Sequence, residues 1–263
     1  MDNISANLMG GLGNYLFQIA TAYAYGLNNE KQPLFNTETT VRVHKDINEY
    51  KDNILRNIYW GKPNNNHVKY NEYGFEYSKI PKIKGSVVLN GHFQSEKYFK
   101  EFKYEIINLF SPTKHIIDNI ENNFGDLLNG NTCSIHVRRG DYLKLLDHHP
   151  VCSMGYYNEA IKLMPNDTTF LIFSDDTDWC KENFVGDNFK IIEGFNDIND
   201  LYLMSKCKNN IIANSSFSWW GAWLNNNKGK TVIAPNKWFG SAKKDLMTDD
   251  VYCENWIKIW VIL

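Results

Sequence analysis

Arg138 and Arg139 are adjacent in a chain that has only four arginines against 24 lysines. Arginine presents a planar fork of donors that fits phosphate oxygens two at a time, and it keeps its charge when partly buried. The pair lies in Cys133-Ser-Ile-His-Val-Arg-Arg-Gly-Asp-Tyr142, whose first half reads as a strand. Period-two alternation puts His136 and Arg138 on one side of it, with Arg139 at its C-terminal edge and Gly140 permitting a tight turn. Two such forks beyond a strand end suit a pyrophosphate. The plainer alternative is an ion pair of either arginine with Asp141 or Asp175.

Three other segments could carry chemistry. Phe173-Ser174-Asp175-Asp176 follows an apolar run. Its carboxylates could support an arginine or a ribose hydroxyl, cap a helix, or hold a divalent metal, for which no third oxygen ligand is evident. The segment from Ala213 to Trp223 passes from a strand into a helix, gathering hydroxyls and free amides at a helix N-terminus that can hold phosphate without a cation. Asn214, Ser215, Ser216 and Ser218 are its binding candidates, with N-capping as the alternative for one serine. Trp219, Trp220 and Trp223 read as packing. Finally, Gly10-Gly11-Leu12-Gly13-Asn14 opens a helix that carries Gln18. Counted from Gly11 it gives Gly-x-Gly-x-x-Leu, without the third glycine of a dinucleotide fingerprint, and Glu38 is only loosely placed to meet a ribose. A loop lacking side chains at Gly11 and Gly13 can still approach a phosphate or sugar, with Asn14 and Gln18 beside it. Gln18 either reaches that place or satisfies local backbone.

These groups need elements to position them. Residues 4–9 predict a strand and 15–27 a helix with apolar cover nearly all round, whereas 36–85 give no assignment. A strand at 87–89 and helices over 96–109 and 113–124 follow. From residue 131, strands at 133–137, 169–173, 189–192, 210–213 and 231–234 alternate with helices at 156–163, 177–183, 198–205 and 217–224. That pattern predicts an α/β fold with a mostly parallel, doubly wound sheet. A break at 125–131 divides the 263 residues into two Rossmann-like domains, 1–128 and 129–263, expected to face a cleft. The asparagine runs at 64–66 and 225–227 mark loops. A net charge of -2, from 28 basic and 30 acidic residues, excludes a broad nucleic-acid surface. Cys133, Cys152, Cys180, Cys207 and Cys253 form no compact ligand cluster, which argues against structural zinc and for reduced thiols in a cytoplasmic protein. No secretory leader or membrane-length apolar run is evident, and contact with a membrane surface stays open.

Taken in order, GGLGNYLFQIA at 10–20, HVRRGDY at 136–142, FSDD at 173–176 and NSSFSWWGAWL at 214–224 resemble the alpha-1,2-fucosyltransferase family, inverting glycosyltransferases that use GDP-L-fucose. Tyr15-Leu16 departs from the glutamine that often follows GLGN there. The resemblance implies a GT-B-type fold with no metal site and no cofactor beyond the donor GDP-fucose. The C-terminal half would bind the donor and the N-terminal half would shape the side of a galactose-containing glycan acceptor. Arg138 would hold the β-phosphate and stabilise departing GDP, Arg139 would assist it or lock the loop, and His136 would lie near the nucleotide. Ser215, Ser216 and Ser218 would line the donor-binding helix mouth, and Asp175 and Asp176 would support the nucleotide region or its arginines. The acceptor hydroxyl needs a base. Asp141 is the candidate, with an ion pair to Arg139 as the alternative, and His148 and His149 stand behind it. The rival readings are a transferase using another nucleotide sugar and a non-catalytic glycan-binding protein with a tryptophan platform.

Overall fold

The computed structural model describes residues 1–37, 41–43, 45–63 and 66–260, so Glu38, Asn64 and Asn65 lie outside the described residues. Two compact units are present. One comprises Met1–Thr113 with Leu246–Cys253, and the other Lys114–Asp245 with Glu254–Leu263.

The first unit contains β1 (Asn3–Ala6), β2 (Met9–Gly10), α1 (Leu12–Asn29), β3 (Gln32–Pro33), β4 (Val41–Val43), β5 (His67–Asn71), β6 (Ser86–Asn90) and α2 (Lys103–Leu109). Four strands make a parallel sheet in the order β3-β1-β6-β5, and β2 pairs separately with β4. Helix α1 is buried along most of its length, as its all-round apolar cover predicts, and it ends where Glu30 turns left-handed and donates its N–H to the Gly26 carbonyl. The helix expected over 96–109 is replaced at its start by two 3-10 turns, Glu96–Tyr98 and Lys100–Phe102. Between them Phe99 leaves the helical region (φ -145°, ψ 1°) to bury its ring against Phe17, 6.1 Å between centroids. Burial of that ring outweighs helical continuity. Strand β5 lies within the stretch that gave no assignment. Its side chains are mostly exposed, so no alternation marks it, and its register comes from β6, Asn71 standing opposite Asn90. The segment Leu246–Cys253 joins this unit through Asp250, which accepts from the Tyr77 N–H at 2.8 Å and pairs with Lys97.

The second unit contains α3 (Lys114–Leu128), β7 (Thr132–Val137), α4 (Met154–Lys162), β8 (Thr169–Ser174), α5 (Thr177–Asn183), β9 (Phe189–Ile191), α6 (Asp197–Lys206), β10 (Asn209–Ile211), α7 (Ser216–Leu224), β11 (Val232–Pro235) and β12 (Ile257–Ile259). All six strands are parallel, in the order β12-β11-β10-β7-β8-β9. The chain runs outward from β7 to β9, returns to β10 on the other side of β7, and runs outward again. This is the Rossmann order, and its switch point lies between β7 and β10. Helix α3 belongs here, so the division falls before residue 114 and not at 128/129. Its buried Ile116 and Ile120, the Phe124–Phe195 ring contact at 5.4 Å and the Asn119–Asn199 hydrogen bond at 3.1 Å fix it beside α6. Strand β12 was not anticipated. It pairs Ile257 with Ile233 at the sheet edge and is only three residues long.

The run Asn225–Asn227 does more than mark a loop. Asn225 is buried, donating to the Cys207 carbonyl and the Asn210 side chain, both at 2.7 Å, and so ties the end of α7 to the start of β10. The five cysteines are free thiols. Among the described residues no helix is long and apolar enough to cross a membrane.

The tryptophans of α7 are buried and pack against one another. Trp219 is fully buried, stacked on Trp223 at 6.1 Å and tilted against Trp256 at 5.5 Å, while Gly221 permits close approach to Met204. Truncating Trp219→Ala is expected to cost about 3–5 kcal/mol of stability, read from urea unfolding monitored by fluorescence; a loss below about 1 kcal/mol would contradict its place in the core.

Candidate active site

The C-terminal ends of β7, β8 and β10 carry the charged and hydroxyl side chains. Val137 stands opposite Ser174 in the β7–β8 register, so Arg138-Arg139 and Asp175-Asp176 leave the sheet side by side. Arg138 is held by two carboxylates, its Nη2 at 2.5 Å from Asp141 Oδ1 and its Nη1 at 2.8 Å from Asp175 Oδ2. Arg139 donates its Nε–H to Asp176 at 2.9 Å and its backbone N–H to Asp175 at 2.9 Å. The Arg139 guanidinium also lies over Trp179 at 4.2 Å, and that of Arg138 over Tyr142 at 5.3 Å. Asp176 caps α5 by accepting from the Trp179 N–H at 3.2 Å, and the Arg139 hydrogen bond holds its carboxyl below the usual range. A Cβ on Gly140 would overlap the Asp175 carboxylate, so only glycine lets the loop pass the acid.

Arg138 therefore takes both ion pairs named as its alternative, whereas Arg139 pairs with Asp176, and these contacts orient the forks at the strand ends. The partner of Asp141 is Arg138, not Arg139. That ion pair gives Asp141 an orienting contact with the Arg138 guanidinium.

Tyr142 links the two sides of the switch point. Its hydroxyl donates to the Asn214 carbonyl at 3.1 Å, and its ring stacks on His149 at 4.7 Å, with Phe239 edge-on to His149 at 5.6 Å. Burial, and next the nearby Lys243 charge, lower the His149 pKa to about 4. A ring stacked and kept neutral in this way is a weak base. The Asn214 amide donates to the carbonyls of Pro150 and Trp238, at 3.0 and 3.1 Å, so its side chain fixes the loop instead of facing a ligand.

The hydroxyls at the start of α7 divide. Ser215 caps the helix, accepting from the Phe217 N–H at 3.3 Å, and buried Ser218 donates to the Ser215 carbonyl at 3.4 Å. Ser216, first residue of the helix, is half-buried. His136 is 6% exposed beneath Phe217, 5.6 Å between rings, and its carbonyl accepts from Tyr157 at 3.1 Å. It supports the strand end and does not line a surface.

Gly11, Gly13, Asn14 and Gln18 belong to the first unit, and the arginine cluster belongs to the second. Gln18 is fully buried, with its Oε1 accepting from the Met9 N–H at 3.0 Å and its amide donating to the Met9 carbonyl at 3.3 Å. Both ends of the side chain hold the glycine loop, so the backbone-satisfying alternative is the one realised. Gly11 is the N-cap of α1 and Gly13 lies within the helix. The glycine that needs its freedom is Gly10, at φ 88°. Tyr142 and Trp179 carry the geometry of the arginine cluster without having been candidates. Trp179 was signalled only by its place three residues after Asp176. Among the described residues no three His, Cys, Asp or Glu side chains gather as a metal site.

The sequence matches the family model described as "Glycosyl transferase family 11" over residues 3–260. It is 34% identical to an Alpha-1,2-colitosyltransferase of Escherichia coli, covering 98% of this chain and 99% of that protein. It is 24% identical to Galactoside alpha-(1,2)-fucosyltransferase 2 of Oryctolagus cuniculus, covering 88% of this chain and 68% of that one. The crystal structure of NodZ alpha-1,6-fucosyltransferase co-crystallized with GDP superposes with a TM-score of 0.58 at 12% identity, over 84% of this chain and 92% of that chain. At such identity the likeness is one of fold, two α/β units of the GT-B type.

His136 supplies a pH test. Burial first, then Arg138, lower its pKa to about 3, so the folded protein keeps the imidazole neutral. The unfolded chain takes up that proton near pH 6.5, hence stability falls as pH drops from about 6.5 toward 3. For this group the loss at pH 5 is on the order of 2 kcal/mol, and urea unfolding at pH 7 and 5 should show a smaller drop for His136→Gln than for wild type. A His136 imidazole titrating near 6.5 in the native protein, followed by NMR, would contradict this.

Proposed function

We propose that this chain, which belongs to glycosyl transferase family 11, transfers L-fucose from GDP-β-L-fucose to the 2-hydroxyl of a terminal galactose in a glycan, with inversion to an α-1,2 linkage. The observation that carries the reading is the pair of oriented guanidiniums at the C-terminal edge of the second unit's sheet, beside its switch point. Nucleotides bind at such points, and fork-shaped donors suit a diphosphate. The names of the relatives support the chemistry, one a galactoside alpha-(1,2)-fucosyltransferase and one a fucosyltransferase crystallised with GDP.

In this reading the acceptor hydroxyl attacks the anomeric carbon from the face opposite the diphosphate. The bond from that carbon to the β-phosphate oxygen breaks, and its electron pair leaves with GDP. Arg138 and Arg139 meet the charge that grows on the phosphate, with Ser216 and the free amides at the start of α7 as further donors. Donors fixed before the reaction stabilise that charge more in the transition state than in the ground state. Asp141 and Asp175 hold the Arg138 fork in place, and Asp176 holds that of Arg139. The reading calls for no metal, because oriented guanidinium and amide N–H groups donate hydrogen bonds to the diphosphate as its charge grows. The hydroxyl proton passes to solvent or to a group outside the arginine cluster.

A second reading has an observation of its own. The relative at 34% identity is a colitosyltransferase, and colitose is the 3-deoxy counterpart of L-fucose, so the same phosphate machinery serves either donor. A platform of α7 tryptophans for glycans finds no support, since Trp219, Trp220 and Trp223 are buried. Incubation with GDP-L-fucose and galactose-terminated oligosaccharides is expected to give an α-1,2-linked product by NMR. Turnover of GDP-colitose, GDP-mannose or a UDP-sugar with none from GDP-fucose would move the assignment to that sugar. Replacing Arg138→Lys keeps a charge and loses the fork, so kcat should fall about 100-fold with thermal unfolding little changed. Near-normal turnover would remove Arg138 from the reaction.

A further inference from the structure

The two sheets end in different chemistry. Where the second unit presents arginines and aspartates, the C-terminal edge of the first unit's sheet presents neutral amides. Asn7, just past β1, donates to the side chain of Asn90 at the end of β6, and Asn90 donates to that of Asn71 at the end of β5, both at 2.9 Å. The sheet order β3-β1-β6-β5 makes β1 and β6 neighbours, so the loops that follow them leave this edge side by side. One leads through Gly10 into α1, which has no side-chain cap. The other is Gly91–Ser95.

That second loop is held in an uncommon shape. Phe93 is fully buried with φ 52°, a left-handed backbone that bulky residues rarely adopt. The Glu72 carboxylate accepts from the His92 N–H at 2.7 Å and the Phe93 N–H at 3.0 Å, which fixes the turn. Strained conformations maintained in this way concentrate at ligand sites. The turn delivers Gln94 to the start of α1, where its Nε2 donates to Asn14 Oδ1 at 2.7 Å. Gln94 is 8% exposed, and its Oε1 has no hydrogen-bond partner among the described residues. A buried amide oxygen with no protein donor is an acceptor that a ligand hydroxyl can serve in exchange for water. Phosphate oxygens have only acceptors to offer at neutral pH and cannot meet this need; a sugar hydroxyl can.

We propose that Gln94 is a sugar-contacting residue, its Oε1 accepting a hydrogen bond from a saccharide hydroxyl at the amide edge of the first unit, with Asn14 fixing the amide. The inference rests on the transferase reading and adds to it the group that recognises a sugar. The hydroxyl can belong to the acceptor galactoside or to the transferred deoxyhexose, and titration calorimetry of the full chain with lactose, GDP-L-fucose and GDP separates the two. For Gln94→Met, affinity for lactose or for GDP-fucose is expected to fall about 10-fold while GDP affinity stays within about 2-fold. Loss on lactose assigns the hydroxyl to the acceptor, and loss on GDP-fucose without loss on GDP assigns it to the transferred sugar. Unchanged affinity for both sugars, or an equal loss on GDP, overturns the inference. Gln94→Glu keeps acceptor oxygens and carries the test if the methionine variant does not fold. Sugar affinity within about 3-fold of wild type is expected there, and a 10-fold loss overturns the inference. Transfer by the wild-type chain is scored separately. An active wild type with an unaltered Gln94→Met overturns Gln94 alone, and a wild type that binds neither sugar overturns both readings.

Discussion

The pairing of Val137 with Ser174 across β7 and β8 decides where every charge of the arginine cluster falls. It brings two arginines and two aspartates off adjacent strand ends at the same height, close enough for Asp175 to meet both the Arg138 guanidinium and the Arg139 backbone. A slip of one residue would turn each side chain to the opposite face and separate the partners. The surrounding features depend on that register and protect it. Six consecutive residues of β7 are buried, Tyr157 holds the His136 carbonyl, and Gly140 supplies the clearance that the Asp175 carboxylate requires.

The charges in this cluster do not sum to a positive site. Arg138 and Arg139 stand against Asp141, Asp175 and Asp176, two positive charges against three negative ones, a formal total of -1. Attraction of an anion by a net field is therefore not what the loop offers. It offers N–H groups whose directions are set in advance by carboxylates and by the rings of Tyr142 and Trp179. Preorganised dipoles of this kind act at short range, where a diphosphate is already in place, and contribute little to long-range steering. The near-neutral chain as a whole agrees with that division.

The sequence made the second unit legible because its short apolar strands and helices alternate without interruption, and the helix at 177–183 was placed with its observed limits. It was blind where no periodicity exists. Strand β5 has exposed side chains on both faces, and β12 owes its place to pairing with β11, a long-range contact with no local signature. The arginine segment was recognisable by residue type, but residue type does not report partners. Arg138 and Asp141 are three positions apart and could be matched from the chain, whereas Arg138 and Asp175 meet only through the sheet. Gln18 shows the converse limit. Its place one turn into α1 suggested a ligand, and only the structure shows both ends of its amide spent on Met9. Gln94 lay in a loop of no distinctive pattern, and its significance comes from an unpaired atom that no sequence displays.

The return of the chain through Leu246–Cys253 bears on how the protein is made. The second unit's sheet is completed by β12, which follows that excursion into the first unit. Until β12 pairs with it, β11 is an open parallel edge of that sheet. The last strand closes an edge that could otherwise pair with a neighbouring chain. A molecule in which the β11–β12 pairing has not formed is thus exposed to misassembly at β11.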